Sequence, residues 1–312
     1  MQASAIVFEN PKLLSLKSLA VADMGDCDVE VGVEYSGIST GTERLLWDGN
    51  MPAFPGMGYP LVPGYETGGR VTRAGRKATL TEGPRVFVPG SQCFRDARNL
   101  FGGAASRLVV PDARALAISE SLGERGVLFA LAATAYHAAS RAGTQQPDLI
   151  VGHGVLGRLI ARLAVLAGAS PVVWETRPQR RSGGIGYQVI DPAQDTDRRY
   201  HCICDVSGAS ALLDTLVGRL APGGEVVLAG FYDTPLSFNF APAFMREARI
   251  RVAAQWAPDD LAEVITLAGD GRLSLDGLIT HHHEAPQAEA AYRTAFGDAD
   301  CLKMVLDWRQ TP

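Results

Sequence analysis

The stretch from Asp148 to Glu175 constrains the fold of this chain more than any other part of the sequence. It runs DLIVGHGVLGRLIARLAVLAGASPVVWE, which predicts a strand, a tight turn, a helix and a second strand. The turn holds Gly152, Gly154 and Gly157 in the spacing G-x-G-x-x-G. The first glycine permits the tight turn, the second lets backbone approach a pyrophosphate, and the third allows close helix–strand packing. The stretch therefore predicts a dinucleotide-binding unit.

Later segments extend this unit into an α/β domain. The short apolar segments YQVI, HCICDV, EVVLAG and IRVAAQ are predicted strands, and ASALLDTLVGRL is a predicted helix before the fifth strand. Six strands with intervening helices fit two mononucleotide-binding halves of a doubly wound parallel sheet, the Rossmann architecture. In the helix after the glycines, Arg158 and Arg162 fall on a different face from the leucines.

Glu175 indicates which nicotinamide cofactor the unit binds. It ends the second strand, where a carboxylate would accept hydrogen bonds from the ribose hydroxyls and repel the 2′-phosphate of NADP. We therefore predict NAD, although Arg177, Arg180 and Arg181 follow closely and could serve a phosphate instead. The other predicted cofactor contacts begin the helix or follow later strands, and they are Val155, Leu156, Ser207, Gly208 and Gly230.

The first 120 residues indicate an all-β domain. In CDVEVGVEYSGIS, the residues Val29, Val31, Val33 and Tyr35 alternate with acidic or small ones, which is the period of a half-buried strand. PRVFVPG and SRLVVPDARALAI are predicted as further short strands. The intervening segment LLWDGNMPAFPGMGYPLVPGYE is too rich in proline and glycine for a regular element, and we predict a long ordered loop.

Charge and cysteine content exclude several classes of protein. The formal net charge is −5 and the basic residues are scattered, which argues against a nucleic-acid or anionic-membrane partner. The 5 cysteines are too few for a disulfide framework, and Cys202 and Cys204 are predicted as reduced core thiols. The sequence shows no uncharged apolar run of about 18 residues and no export signal, so we expect a cytoplasmic protein.

Short motifs along the chain resemble those of the medium-chain dehydrogenase/reductase superfamily. GISTGTE stands where the superfamily carries its Gly-x-Cys zinc motif and PGYE where it carries Pro-Gly-His-Glu, while TAYHA (which begins at Thr134, a further predicted cofactor contact), LITHHHEAP and CLKMVLD match later landmarks. The resemblance covers essentially the full length. It implies a GroES-like catalytic domain over 1–121, a Rossmann domain over 122–257, and a C-terminal segment over 258–312 that returns to the first domain.

The zinc ligands of that superfamily are replaced in this sequence. The position of the ligand cysteine falls at Ser39 or Thr40 and that of the histidine at Tyr65, while only Glu66 persists. The third ligand falls in LAATAY, which offers no donor side chain, and the lobe that would hold a structural zinc contains only Cys93. Because zinc needs three or four converging donors, the resemblance with these departures implies a zinc-free member.

Within the superfamily, the stretch YSGISTGTERLLWDGNMPAFPGMGYPLVPGYE resembles a narrower family. That family uses NAD to oxidise a hydroxyethyl substituent of a bacteriochlorophyll-type macrocycle to acetyl. The side chains of the predicted long loop suit such a substrate, because aromatic and thioether groups pack well against a flat, apolar, polarizable ring. The predicted substrate contacts are Trp47, Met51, Phe54, Met57 and Tyr59. The alternative is a loop that only covers the core of the β domain.

Without zinc, a positioned side chain must handle the proton of the substrate hydroxyl. Tyr65 stands in a former ligand position, and its phenol can both donate and accept a hydrogen bond. Glu66 could orient the tyrosine or act as a base, and the hydroxyls of Ser39 and Thr42 could pass a proton onward. His137 is a further candidate, because histidine side chains commonly accept and donate protons near neutral pH. A hydrogen-bonded structural role would explain a histidine at this position equally well.

Three consecutive histidines, His281, His282 and His283, do not predict a metal site. Alternate residues of a strand point to opposite faces, so three in a row cannot converge on one ion. We expect His281 near the active site and the other two at the surface.

Three functions remain open from the sequence. The first is the NAD-dependent macrocycle dehydrogenase, and the second is a zinc-free quinone or enoyl reductase, which would usually prefer NADPH and against which Glu175 argues. The third is a nucleotide-binding protein without catalysis. We also predict a homodimer, from the resemblance and because RIRVAAQW (249–256) is mostly apolar and is placed at an exposed sheet edge.

Overall fold

The computed structural model of the protein describes residues 1–52, 55–139, 145–196 and 198–312, so Phe54 lies outside the described residues. The strands in these ranges are β1 (Gln2–Asn10), β2 (Leu13–Ala20), β3 (Asp28–Ile38), β4 (Thr67–Ala74), β5 (Arg85–Val88), β6 (Arg107–Pro111), β7 (Leu116–Ala117), β8 (Leu149–Val151), β9 (Val172–Trp174), β10 (Gln188–Ile190), β11 (Tyr200–Asp205), β12 (Leu220–Leu228), β13 (Arg249–Val252), β14 (His281–Glu284) and β15 (Met304–Asp307). The α-helices are α1 (Thr42–Asp48), α2 (Phe129–Ala139), α3 (Val155–Leu166), α4 (Leu213–Arg219), α5 (Phe240–Met245), α6 (Pro258–Gly269) and α7 (Ala288–Gly297). Within the described ranges, none of these helices is long and apolar enough to cross a lipid bilayer.

The chain forms two compact units. The first unit joins Met1–Ala130 with Leu278–Pro312, and the second is Leu131–Gly277. The boundaries predicted from the sequence lie near residues 121 and 257, whereas the second unit of the structure also contains α6 and the turn after it. Arg162 on α3 is bonded to this turn: its guanidinium donates to the carbonyl oxygen of Ser274 at 2.8 Å and to that of Asp276 at 2.9 Å.

The first unit contains the predicted β domain. Its larger sheet has the order β14-β15-β3-β4-β5-β7, with β6 also paired to β3, and β1 and β2 form a separate antiparallel pair. In this sheet Met304 pairs with Ile38, and Ser36 pairs with Thr67. The end of β3, the start of β4 and the start of β15 therefore lie side by side. This register brings segments that are distant in sequence to one end of the sheet.

The alternation predicted for β3 holds only in part. Val29, Val31 and Val33 are buried as predicted, although Glu30 between them is buried as well, whereas Tyr35 is partly exposed and Ser36 is buried instead. The pairing of β3 with β4 shifts register between Val33 and Tyr35, which is a β-bulge. A bulge inserts one extra residue and exchanges the faces of the side chains that follow it.

The segment predicted as one long loop begins with a helix. α1 covers Thr42–Asp48 and ends at Gly49, whose φ of 75° is the left-handed conformation that glycine adopts without strain. The proline and glycine residues that argued against a helix all follow Asp48. The irregular part of the loop is therefore shorter than the sequence suggested.

The second unit contains a six-stranded sheet in the order β10-β9-β8-β11-β12-β13. Its strand pairs are parallel. This is the order of a doubly wound dinucleotide-binding sheet, with the strand order reversing between β8 and β11. The predicted α/β architecture, a GroES-like β domain with a Rossmann unit, is confirmed.

Candidate active site

The glycine turn of the second unit has the geometry expected of a phosphate-binding turn. Gly152 has a φ of 107°, and a Cβ at Gly157 would lie 1.9 Å from the carbonyl oxygen of Gly152. Both positions therefore require glycine. A Cβ at Gly154 would meet nothing within 4 Å, so the backbone is accessible directly before Val155, where α3 begins. The helix offers its first N–H groups at this point, as a pyrophosphate site requires.

The carboxylate of Glu175 lies beside this turn. One of its oxygens accepts a hydrogen bond from the backbone N–H of His153 at 3.2 Å, and the other accepts from the N–H of Arg177 at 2.8 Å. The side chain of Arg181 donates to the carbonyl oxygens of Glu175 and Thr176, and it also forms an ion pair with Asp191. The Arg181 guanidinium is therefore engaged within the protein.

Arg158 organises the loop that follows Glu175, which the sequence did not reveal. The side chain of Arg158 is buried, and its guanidinium donates to the carbonyl oxygens of His153, Arg180, Ser182 and Gly183. The sequence showed only two arginines one turn apart on α3, a pattern that does not specify their partners.

His153 is a buried residue of the glycine turn that bonds to the same loop. Its Nδ1 lies 2.6 Å from the carbonyl oxygen of Arg180, and its Nε2 lies 2.9 Å from the hydroxyl of Tyr187. Burial lowers the pKa of His153 to about 4, so the imidazole is neutral near pH 7. A neutral ring can donate to the carbonyl through one nitrogen and accept from the phenol through the other.

Ser207, Gly208 and Gly230, which are predicted cofactor contacts, lie together where β11 and β12 end. A Cβ on Gly230 would lie 3.1 Å from the backbone nitrogen of Gly208. The carboxylate of Asp205, at the end of β11, accepts from the N–H of Ser207 at 2.9 Å and from the hydroxyl of Tyr232 at 2.9 Å. These bonds hold the two loops beside the glycine turn, since β11 pairs with β8.

His137 and Thr134 both lie on α2. The Nδ1 atom of His137 is 2.7 Å from a carboxylate oxygen of Asp260, and that oxygen also accepts from the N–H of Ala257 at 2.7 Å. His137 therefore connects α2 to the first turn of α6. Thr134 is partly exposed in the middle of α2.

The first unit brings three predicted hydroxyl residues together. The hydroxyl of Tyr65 lies 2.6 Å from that of Ser39 and 3.5 Å from that of Thr42. Ser39 follows β3 and is buried, whereas Thr42 begins α1 and is partly exposed. Burial and the neighbouring carboxylate of Glu66 raise the pKa of Tyr65 above its ordinary value, so this phenol stays protonated near pH 7. We refer to Ser39, Thr42 and Tyr65 as the hydroxyl cluster.

Glu66 follows Tyr65 directly in the chain and forms a buried ion pair. The ammonium of Lys303 lies 2.9 Å and 2.6 Å from its two carboxylate oxygens and also donates to the carbonyl oxygen of Ile38 at 3.2 Å. Both side chains are almost fully shielded from solvent. Burial raises the pKa of Glu66, while the charge of Lys303 acts in the opposite direction. The role of Lys303 could not be predicted from the sequence, because its partner is 237 residues away.

The residues present do not fit a catalytic zinc ion. The positions that correspond to its ligands hold the hydroxyls of Ser39 and Tyr65, and the carboxylate of Glu66 is bound to Lys303 instead. Across the described residues, no group of three or more histidine, cysteine, aspartate or glutamate side chains is arranged to hold a metal ion. An ammonium in contact with the remaining acidic position would also repel a cation.

Glu43 is a second buried carboxyl group of the first unit, and it was not predicted as a site residue from the sequence. One of its oxygens accepts from the hydroxyl of Tyr292 on α7 at 2.8 Å, and the other accepts from the N–H of Ser39 at 3.3 Å. Burial raises the pKa of Glu43 to about 8. The residue connects α1 to α7 and holds the backbone at Ser39, so it supports the position of the hydroxyl cluster.

The loop predicted to bind substrate packs partly against the core of the first unit. The ring of Trp47 lies 5.6 Å from that of Phe8 and 6.2 Å from that of Tyr292. The hydroxyl of Tyr59 donates to the carbonyl oxygen of Leu46. The predicted contacts Trp47, Met51, Met57 and Tyr59 are all partly buried, so each retains some exposed surface.

The lobe of residues 91–103, which contains only one cysteine, is held together by an asparagine. The side chain of Asn99 accepts from the N–H of Phe94 at 3.0 Å and donates to the carbonyl oxygens of Phe94 and Ala97. Cys93 is buried and burial raises the pKa of its thiol. Cys202 and Cys204 are free and buried on β11, as predicted.

The three histidines of β14 alternate in exposure. His281 and His283 are partly buried, and His282 is exposed. His281 and His282 have different partners: Nδ1 of His281 lies 2.9 Å from the Thr280 hydroxyl, and Nε2 of His282 lies 2.9 Å from the Glu124 carboxylate.

The two units and the glycine turn have the fold of the medium-chain dehydrogenases/reductases. No model of a known protein family matches the chain. Two relatives, each named 2-desacetyl-2-hydroxyethyl bacteriochlorophyllide A dehydrogenase, are 53% identical to it. The relative from Rhodobacter capsulatus matches over 99% of both chains, and that from Cereibacter sphaeroides over 100% of both. The chain therefore belongs to this family of dehydrogenases.

Solved structures share the fold at low sequence identity. The L-idonate 5-dehydrogenase of Escherichia coli superposes with a TM-score of 0.86 over 98% of both chains at 19% identity. An E. coli protein described as a short chain alcohol dehydrogenase, complexed with NADH, gives 0.83 over 98% of this chain and 99% of its own at 20% identity. A dehydrogenase of Sinorhizobium meliloti bound to NADP also gives 0.83 with the same coverage at 21% identity.

Proposed function

We propose that this protein oxidises the hydroxyethyl side chain of a bacteriochlorophyllide to acetyl with NAD, without zinc, in bacteriochlorophyll synthesis. The observation that carries the proposal is 53% identity over the whole chain to two dehydrogenases named for this substrate. The described site agrees with it, because a nucleotide turn and a cluster of proton-transferring hydroxyls are the parts that alcohol oxidation needs.

The second unit would hold the cofactor. The N–H groups at Gly154 and Val155 would bind the pyrophosphate, Glu175 the adenosine ribose, and Ser207 with Gly230 the nicotinamide half. When bound, NAD accepts the hydride that leaves the alcohol carbon. The protein's own residues must then handle the hydroxyl proton.

We propose that the hydroxyl cluster carries this proton. The substrate hydroxyl donates its proton to the oxygen of Tyr65, while the phenol passes its own proton to the hydroxyl of Thr42, which in turn releases its proton to solvent. The hydroxyl of Ser39 is bonded to the phenol and orients it. The raised pKa of Tyr65 favours this relay over a phenolate base. Thr42 is partly exposed and offers the exit toward solvent. Glu66 is occupied by Lys303, so its part in this scheme is to support the cluster.

The proposed reaction is tested by incubating the purified protein with hydroxyethyl-bacteriochlorophyllide and NAD. The absorption of the ring is expected to shift as a conjugated acetyl group forms, with one NADH produced for each substrate consumed. If NADPH is oxidised with a quinone or an enone and the macrocycle is untouched, the protein is a reductase instead. If no substrate turns over while NAD binds, the nucleotide-binding interpretation replaces the proposed one.

The cofactor preference gives the first prediction. NADH should bind at least about tenfold more tightly than NADPH, a difference of about 1.4 kcal/mol, because the Glu175 carboxylate would meet the 2′-phosphate. Fluorescence titration of both dinucleotides measures the ratio. Glu175→Ser should remove most of the difference, whereas Glu263→Gln, an exposed acid on α6, should preserve it. Equal or tighter binding of NADPH by the unchanged protein would contradict the proposal.

The edge of the second sheet supports a homodimer, which is the second prediction. β13 is the last strand of that sheet, and Val252 on it is 74% exposed. Nearby in sequence, α5 exposes Phe240, Phe244 and Met245. An unpaired apolar edge is covered when two copies pair across it.

Light scattering tests the dimer. The unchanged protein should have twice the 33.2 kDa chain mass at micromolar concentration. Val252→Asp should shift it toward the monomer, while Ile185→Asp, at an apolar position outside β13 and α5 that is 49% exposed, should not. A monomer mass for the unchanged protein would overturn this prediction.

A further inference from the structure

Arg98 differs from the other basic residues of the first unit. Each of the other arginines and lysines described there makes at least one side-chain hydrogen bond or ion pair. The guanidinium of Arg98 makes none with any residue that the structure describes, and the residue is exposed. An arginine with all five donors unused is able to bind an anion from outside the chain.

The backbone of Arg98 is fixed against the predicted substrate loop. Its N–H donates to the carbonyl oxygen of Pro60 at 2.8 Å, and its carbonyl oxygen accepts from the N–H of Val62 at 2.9 Å. The side chain then runs across Gly58, where a Cβ would lie 2.6 Å from its Nε atom and 2.9 Å from its Cδ atom. The absence of a side chain at Gly58 thus makes room for the arginine.

The neighbourhood of Arg98 is apolar and continues to the hydroxyl cluster. Met57 and Tyr59 flank Gly58, while Leu100 and Phe101 follow Arg98 by two and three residues, and all four are partly buried. The ring of Phe101 lies 5.1 Å from that of Tyr65. Val62, which is bonded to Arg98, precedes Tyr65 by three residues, a distance of at most about 11 Å along the chain. A flat ring could therefore lie on this surface with one edge at Tyr65 and another at Arg98.

We propose that Arg98 binds a carboxylate at the edge of the macrocyclic substrate. This inference rests on the proposed function. A bacteriochlorophyllide is a free acid, whose propionate carboxylate and hydroxyethyl group are attached to different pyrrole-derived rings. Guanidinium and carboxylate form paired charge-assisted hydrogen bonds, so this contact would place the hydroxyethyl group by holding the macrocycle at a second point on its edge. It would also select the free acid over an esterified pigment.

The test compares the free acid with its methyl ester, using the quenching of macrocycle fluorescence to measure the Kd of each. The unchanged protein should bind the acid about tenfold more tightly than the ester, as expected for a charge-assisted hydrogen bond at a partly exposed site. Arg98→Gln should bind the acid about tenfold more weakly and bind the ester as before. The matched control is Arg95→Gln, since Arg95 is an exposed arginine of the same lobe that pairs with Asp23, and it should behave as the unchanged protein.

Each outcome decides one of the two proposals. If Arg98→Gln weakens the binding of the acid and of the ester equally, or weakens the binding of neither, the carboxylate contact is refuted. The arginine is then a packing or solvated residue. If the unchanged protein binds both forms equally, the contact is refuted as well. If the acid is preferred through Arg98 but neither form is oxidised, the contact stands and the proposed reaction fails.

Discussion

Replacement of Tyr65 by phenylalanine is expected to lower turnover by about 10²-fold or more, while NAD affinity stays unchanged. Phenylalanine preserves the ring that packs 5.1 Å from Phe101 and removes only the hydroxyl that lies 2.6 Å from Ser39. General acid–base catalysis contributes about 10²–10⁴ in rate, and this hydroxyl is the proposed point of contact with the substrate proton. Steady-state kinetics with the macrocycle and NAD, together with an NADH titration, measures both quantities.

Two controls accompany this variant. Tyr59→Phe also removes one phenol, but that hydroxyl is bonded to the carbonyl of Leu46, so the loss of turnover should be much smaller. Metal analysis of the purified protein should find far less than one zinc per chain, and activity should survive a chelator. Full turnover in Tyr65→Phe would make the tyrosine a packing residue. Stoichiometric zinc would show that another set of ligands exists.

Lys303→Met should destabilise the protein by about 3–5 kcal/mol. The change leaves the Glu66 carboxylate fully buried without the ammonium that now lies 2.6 Å from it. Removing one partner of a buried ion pair is costly, because the remaining charge keeps its desolvation penalty without compensation. Urea denaturation followed by tryptophan fluorescence should show a lower midpoint for the variant.

Two further variants separate the ion pair from a general effect of losing a lysine. Glu66→Gln combined with Lys303→Met removes both charges and should recover much of the lost stability, since no unpaired ion stays buried. Lys77→Met removes an exposed lysine that pairs with Asp26 and should change the stability by less than about 0.5 kcal/mol. The importance of the pair for folding would be refuted if Lys303→Met matched Lys77→Met.

The nucleotide-binding unit could be predicted from short stretches of sequence. The conformation of Gly152 and the close approach at Gly157 are requirements of a few consecutive residues, and Glu175 ends the strand directly after the helix. Helical and strand periods are likewise local, so the six strands and their order followed from known rules of parallel sheets. Predictions from local patterns were wrong at two places. The burial pattern of β3 changes at the bulge before Tyr35, and the segment predicted as a loop begins with the helix α1.

The sequence by itself determined which residue types occupy the former zinc positions, namely hydroxyls and one carboxylate at Ser39, Tyr65 and Glu66. Only the tertiary structure decided what those residues do, because their partners come from distant parts of the chain. Lys303 reaches Glu66 across 237 residues, and Tyr292 reaches Glu43 across 249. A buried charge is stable only beside its partner, and strand register places that partner there. No spacing along the chain encodes such a pairing.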